Sequence, residues 1–273
     1  MHSLGLDPLS VFGLPPDEYV NLAADLGCQH IGISLTPVIP QNPHNYPAWS
    51  MVDDAGLRRK VKAALADRGV KPAIGEGFWI VPGADIRDSQ RKLDLLCELG
   101  VPAINAISLE PDQARSFDQF AAIVEMAEAA GVDTTVEFAP IMGPRDIPGT
   151  LALLRHVNRP SFRMLVDTLH VARSGGTAKD VAALDPKVIG YVQLCDAPAA
   201  FTMEQYGNEA SFQRMPPGSG ELPLFDILKV LPKDVPIGLE IPMLKEAQAG
   251  KSLRECLGSC VEGAKKLLAR LKA

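Results

Sequence analysis

Met164-Leu165-Val166-Asp167 is an apolar run of strand length that ends on a carboxylate, and three other runs end on an oxygen-bearing side chain: Thr134-Thr135-Val136-Glu137, Gly190-Tyr191-Val192-Gln193 and Ile237-Gly238-Leu239-Glu240. Short hydrophobic runs bounded by turn residues read as buried parallel strands, in which a terminal carboxylate or amide is out of place unless it does something. If the four strands neighbour one another in one barrel, the four groups converge. Three carboxylates and an amide oxygen crowded together would repel one another unless a hard divalent cation sat between them.

The rest of the chain repeats the rhythm of these runs: a short β-branched stretch, a loop, an amphipathic stretch closed by Gly, and a new run. The first unit places a strand within residues 4–12 and a helix from Pro15-Pro16-Asp17-Glu18, with Pro suited to a first turn and acids near the positive end of the helix dipole. A second strand follows at 30–35, then a proline-rich loop at 36–51, a helix at 53–68 and a third strand from Lys71 towards Gly75. A helix at 87–99 and a strand at 103–108 make the fourth step. Ser116-Phe117-Asp118-Gln119 reads as a capping box for a helix whose Phe117, Phe120, Val124 and Ala127 share an apolar face. Helices at 146–156, 178–184, 225–231 and 252–271 alternate with the remaining strands, and residues 195–223 form the longest interruption. Loops of that length in compact domains are usually functional or disordered. Eight strands without a low-complexity linker predict α/β architecture, one (β/α)₈ TIM barrel over residues 1–273, with its site at the C-terminal strand ends.

A chain of 273 residues with 47% hydrophobic content can bury a core of that size. Its net charge of -6 and pI near 5.4 provide no broad attraction for polyphosphate, so a small-molecule substrate is expected rather than nucleic acid. Cys28, Cys97, Cys195, Cys256 and Cys260 are odd in number and form no Cys-x-x-Cys pair, which predicts a reduced, cytoplasmic protein. Cys256 and Cys260 share a helix face and are read as packing residues. The start Met1-His2-Ser3-Leu4-Gly5 does not resemble a leader, and no apolar run approaches the roughly 18 residues that span a bilayer, so no membrane partner is expected.

Val136-Glu137-Phe138, Asp167-Thr168-Leu169-His170, Val192-Gln193-Leu194-Cys195-Asp196-Ala197-Pro198, the stretch from Pro217 through Gly218-Ser219-Gly220-Glu221-Leu222 to Pro223, and Leu239-Glu240 together resemble the xylose isomerase-like TIM barrels. Within them the likeness is to the sugar phosphate isomerase/epimerase group, which includes hydroxypyruvate isomerase-like and tagatose 3-epimerase-like enzymes. The resemblance implies one divalent ion held by Glu137, Asp167, Gln193 and Glu240. Many members have His where this chain has Gln193, although Gln occurs in the hydroxypyruvate isomerase-like branch. The all-oxygen set favours Mn²⁺ first, then Mg²⁺ or Co²⁺, over Zn²⁺. A metal chelated by a substrate carbonyl and its neighbouring hydroxyl acidifies the adjacent C–H and stabilises an enediolate. By resemblance to the epimerases, Glu137 and Glu240 are the catalytic acid/base pair on opposite sides of the sugar.

His170, Arg214, Glu76, His44 and Trp79 are further candidate substrate ligands. His170, three residues past Asp167, is expected on the loop above the barrel, as a substrate ligand or a member of the metal shell. Glu76, after the third strand, and Arg214, before Met215-Pro216-Pro217-Gly218, are candidates to hold hydroxyls or carboxylates, with surface ion pairing as the plainer role. His44, Tyr46 and Trp49 in the second loop, with Phe78 and Trp79 after strand three, are placed at the pocket mouth, where aromatic faces suit a sugar or an apolar substituent. Asp196 is read either as a support for the metal ligands or as a loop turn.

The leading expectation is therefore a metal-dependent isomerase or epimerase acting on a sugar, keto acid or polyol. A lyase on a sugar-derived substrate and a non-catalytic sugar-binding barrel are the alternatives. An endonuclease IV-like repair enzyme is disfavoured, because it needs a His-rich multi-metal site and a basic groove. No Gly-rich turn follows strand seven or eight to hold a substrate phosphate. The resemblance also admits a homo-oligomer.

Overall fold

The computed structural model describes residues 2–271. Among them, eight parallel strands close into a barrel in sequence order: β1 (Leu4–Leu6), β2 (His30–Ile33), β3 (Lys71–Ile80), β4 (Ala103–Ser108), β5 (Asp133–Glu137), β6 (Phe162–Asp167), β7 (Ile189–Leu194) and β8 (Ile237–Leu239). The surrounding helices are α1 (Pro16–Asp25), α2 (Ala55–Arg68), α3 (Gln90–Glu98), α4 (Gln113–Ala129), α5 (Ile147–Val157), α6 (Thr168–Arg173), α7 (Ala178–Ala182), α8 (Met203–Phe212), α9 (Leu224–Val230), α10 (Leu244–Gln248) and α11 (Leu253–Arg270). This is the single (β/α)₈ barrel that the alternating pattern predicts. Among the described residues no helix is long and apolar enough to cross a membrane.

Side-chain alternation divides each strand between two environments. Val136, Met164, Val166, Val192 and Leu194 face outward into the large core between barrel and helices, while Ile74, Leu165 and Tyr191 form a separate cluster inside the barrel. Each fully buried branched side chain of the outer layer contributes roughly 1.5–3 kcal/mol. Two residues beyond Leu165 and Tyr191 on the same inward face stand Asp167 and Gln193, and the register pairs these two directly. Gln193 in turn pairs with Gly238, two residues before Glu240. The convergence of the four groups thus follows from strand register. Gly238 itself leaves room for polar neighbours, since a Cβ there would lie 2.2 Å from Asp7 Oδ2 and 2.3 Å from the Tyr191 hydroxyl.

Several local expectations are corrected. The third strand does not stop at Gly75 but runs to Ile80, with a register shift between Gly75 and Phe78, so Glu76, Phe78 and Trp79 lie within it. Ser116 does not cap a helix: α4 starts earlier, with the Asp112 carboxylate accepting from Arg115 N at 3.1 Å, and the Ser116 hydroxyl is buried against Ser108 at 2.8 Å. His170 is not on a loop, because Asp167 accepts from Leu169 N and His170 N and so caps the short helix α6 directly at the strand end. The interruption at 195–223 contains helix α8, capped by the Thr202 hydroxyl.

Candidate active site

Glu137 closes β5, Asp167 closes β6, Gln193 is the penultimate residue of β7 and Glu240 immediately follows β8. All four are buried. Gln193 donates to Glu240 Oε1 at 3.0 Å, Asn105 donates to Glu137 Oε2 at 2.8 Å, and His170 Nε2 stands 3.1 Å from Glu137 Oε1. One ligand atom each from Glu137, Asp167 and His170 lies within 4.8 Å of the others, so His170 joins two of the expected ligands in a metal-competent group that does not include Glu240. The Tyr206 hydroxyl, reaching in from α8, is 2.9 Å from the far nitrogen of His170 and fixes the ring.

Arg214 is the one cation at the centre of this cluster among the described residues. Its Nη1 donates to Asp167 Oδ2 at 2.5 Å, and its Nη2 lies 2.9 Å from Glu240 Oε2. It is a buried partner of two proposed metal ligands rather than a surface ion pair, and Nε holds it further through the Ala210 carbonyl at 2.8 Å. Burial works against ionisation of Asp167, but the Arg214 charge, His170 and their hydrogen bonds outweigh it and hold that carboxyl below its ordinary range. Burial wins at Glu240, where Glu137, Asp167 and Asp7 add repulsion that Arg214 only partly offsets, and the carboxyl is pushed up.

The donor set fits a hard divalent cation. Three buried carboxyls, Glu137, Asp167 and Glu240, surround one guanidinium, and a divalent cation would balance the charge they carry when all are ionised. Gln193 Oε1 is buried without a hydrogen-bond partner, an acceptor that a cation would satisfy. Carboxylates and an amide carbonyl are the oxygen ligands such ions take.

A cavity of about 450 Å³ opens over these groups, within the size range of small-molecule sites. Glu76, Asn105, Glu137, His170, Arg214 and Glu240 face it, and Trp79 stands in its wall at 46% exposure. The Glu76 carboxyl is pushed well up by burial and by the Glu137 and Asp7 charges, and it accepts from Asn105 at 3.3 Å. His44 is not brought in. It packs against Tyr46 at 5.4 Å, while the Trp49 indole donates to the Gly13 carbonyl, so the aromatic group expected from the second loop does not line this cavity. Asp196 serves the loop: its carboxylate accepts from the backbone of Ala197, Gly218, Gly220 and Leu222. A Cβ on Gly220 would fall 2.5 Å from that carboxylate, which explains the glycine.

Sequence reasoning missed Asp7, Asn105 and Tyr206. Leu4-Gly5-Leu6-Asp7 is itself an apolar run ending on a carboxylate, so the rule applied to strands five to eight would have found Asp7. Tyr191 donates to its Oδ1 at 2.9 Å, its Oδ2 has no partner, and its carboxyl is pushed up to about 7, chiefly by burial. A folded-state value above the unfolded 3.8 means that folding holds a proton the unfolded chain gives up. Stability therefore falls as pH rises from 3.8 to about 7, with a limiting slope of about 1.4 kcal/mol per pH unit. Asp7→Asn in chelator-treated protein is expected to melt above the parent at pH 8, with the advantage shrinking towards pH 4. Parallel melting curves across that range would contradict this assignment.

A family model described as xylose isomerase-like TIM barrel matches residues 20–259. No curated protein matches the chain. Among solved structures, the IolI protein with a bound zinc atom is 17% identical over 98% of this chain and 99% of its own, with a TM-score of 0.76. The probable 3-DHS dehydratase AsbF, involved in petrobactin synthesis, from Bacillus anthracis is 16% identical over 97% and 99%, TM-score 0.75. D-allulose 3-epimerase from Methylomonas sp. is 17% identical over 97% and 98%, TM-score 0.67. The chain spans 44% of the length of a xylose isomerase-like TIM barrel/4-hydroxyphenylpyruvate dioxygenase fusion protein, which covers 99% of it at 20% identity and TM-score 0.75. At these identities the likeness establishes the fold.

Proposed function

Because this chain belongs to the xylose isomerase-like TIM-barrel family, we propose that it is a divalent-metal-dependent isomerase or epimerase of a small polyhydroxy carbonyl compound. The observation that carries this reading is the Gln193 Oε1 acceptor, buried without a partner beside three carboxyls gathered at the strand ends. Glu137, Asp167, Gln193 and Glu240 would hold the ion, with His170 close enough to contribute, and oxygen ligands with an imidazole at hand suit Mn²⁺. When bound, the ion would supply Lewis-acid polarisation of a carbonyl and its neighbouring hydroxyl.

The chain's own residues supply the proton transfer. In the metal-free protein burial and like charges push the Glu240 carboxyl up, and Gln193 and Arg214 hold its two oxygens in place. Glu240 takes the C–H proton. Glu137, steadied by Asn105 and His170 on its two oxygens, exchanges a proton with the substrate on its own side. Arg214 fixes Asp167 and Glu240 relative to each other, and Glu76 offers a carboxyl at the wall for a substrate hydroxyl.

A lyase is the second reading, favoured by the Tyr206–His170–Glu137 chain, which gives that side of the cavity a proton donor for a departing hydroxyl. The likeness to a probable dehydratase points the same way. Metal analysis after purification without added metal, then reconstitution with Mn²⁺ in D₂O with a panel of ketoses and hydroxy-keto acids, tests both. About one ion per chain and C–H exchange that leaves an isomer support the first reading. Growth of conjugated-enone absorbance supports the second. No exchange, no elimination and no thermal shift with metal would leave a binding barrel.

A further inference from the structure

Among the described residues, the large hydrophobic side chains that stay exposed are Val38, Trp79, Leu109, Ile141, Phe201 and Met203. All stand on the C-terminal face of the barrel: Val38 after β2, Trp79 near the end of β3, Leu109 directly after β4, Ile141 after β5, and Phe201 and Met203 in the segment after β7. Isolated exposed hydrophobics need no explanation, but a set confined to the face that carries the site marks a binding surface. Phe201 is accounted for locally, since the Arg173 guanidinium covers its ring at 4.4 Å. Val38, Trp79 and Ile141 are not: they line the same cavity as Glu137 and Glu240.

Polarity within that cavity is segregated. The carboxylates, Arg214 and His170 are buried, whereas Val38, Trp79 and Ile141 in the lining of the same cavity are exposed. Lys92 also lines the cavity, yet its ammonium donates to the Gly77 carbonyl and sits 5.4 Å from the centre of the Phe78 ring. A free sugar carries hydroxyls along its whole length and would need polar partners at the outer wall. A flat apolar group would bury the Trp79 indole instead, and aromatic rings pack well in offset or edge-on contact.

We propose that the substrate is amphipathic, with a hydroxy-carbonyl head among the carboxylates and an aryl substituent against Val38, Trp79 and Ile141. This inference rests on the function proposed above and names the substrate class of that same site. Continuity of the apolar wall with the carboxylate cavity favours the substrate over a second protein as its occupant.

The test compares two ligands with one head, 2-hydroxyacetophenone and hydroxyacetone, by calorimetric titration of the Mn²⁺-loaded protein. The aryl ketone should bind at least about tenfold tighter. Trp79→Ala and Ile141→Ser should each reduce that ratio at least about threefold while the proteins melt as the parent does. A parent ratio within twofold, a ratio unchanged in both variants, or binding of neither probe would overturn the proposal. So would a dimer in sedimentation that Trp79→Ala dissociates, since the wall would then belong to a second copy. The comparison needs no turnover: loss of deuterium exchange with both probes would count against the isomerase reading, and the affinity ratio would still judge this one.

Discussion

Glu240→Gln in the Mn²⁺-loaded protein is expected to lower solvent-deuterium exchange at the substrate carbon by about a thousandfold, within the span that positioned acid/base groups contribute. Melting of the metal-free protein should change by only a few degrees. The physical reason is that the substitution removes a proton acceptor from a place where the charge is already disfavoured. Without metal the Glu240 carboxyl is pushed up by burial and by the Glu137 and Asp167 charges, so there a neutral side chain relieves repulsion. Its oxygen can still accept from Arg214, which keeps the 2.5 Å bond to Asp167. In the metal-free protein the new amide nitrogen would face the Gln193 nitrogen, and turning the Gln193 amide brings round Oε1, which has no partner there. Metal analysis of the variant separates loss of a base from loss of a ligand. Exchange at the parent rate would sink the assignment of Glu240 as the base.

The barrel and its convergent groups were legible because both follow from short-range rules. Alternation along a strand sets which side chains face inward, so a carboxylate at a strand end announces itself whenever the run before it is apolar. Asp167 and Gln193 are paired by register, a consequence of neighbouring strands closing a barrel. What could not be read depends on how far a segment continues. The third strand passes through Gly75, which looks like a turn residue, because the bulge that follows lets the chain rejoin β4 at Phe78. Likewise, Thr202 caps α8 inside a segment whose prolines and glycines read as loop, and α8 delivers Tyr206 to His170. Arg214 was legible as a site residue but not as a buried one, since its partners are 47 and 26 residues away along the chain. His44 failed for the converse reason. An aromatic or imidazole ring in a loop carries no signal of the side of the barrel mouth it will occupy.

Arg214→Met should destabilise the metal-free protein by about 3–5 kcal/mol at pH 8, the usual cost of leaving buried charges uncompensated. The guanidinium satisfies Asp167 Oδ2, Glu240 Oε2 and the Ala210 carbonyl, and the thioether satisfies none of them. The pH dependence identifies the cause. In the parent, Asp167 ionises below its unfolded value of 3.8, so it contributes stability that is present above that value and is lost as pH falls through the folded one. In the variant, burial acts without the guanidinium, the Asp167 carboxyl moves above its unfolded value, and the sign reverses: stability falls as pH rises. The gap between parent and variant should therefore widen from pH 4 to pH 8. A divalent cation should narrow it, because three buried carboxylates attract the ion more strongly when no guanidinium competes, and binding to the folded state alone adds stability. Denaturant midpoints at both pH values, with chelator and with Mn²⁺, measure both effects. A gap independent of pH and untouched by metal would mean that Arg214 supports the site by packing and its Ala210 bond rather than by charge.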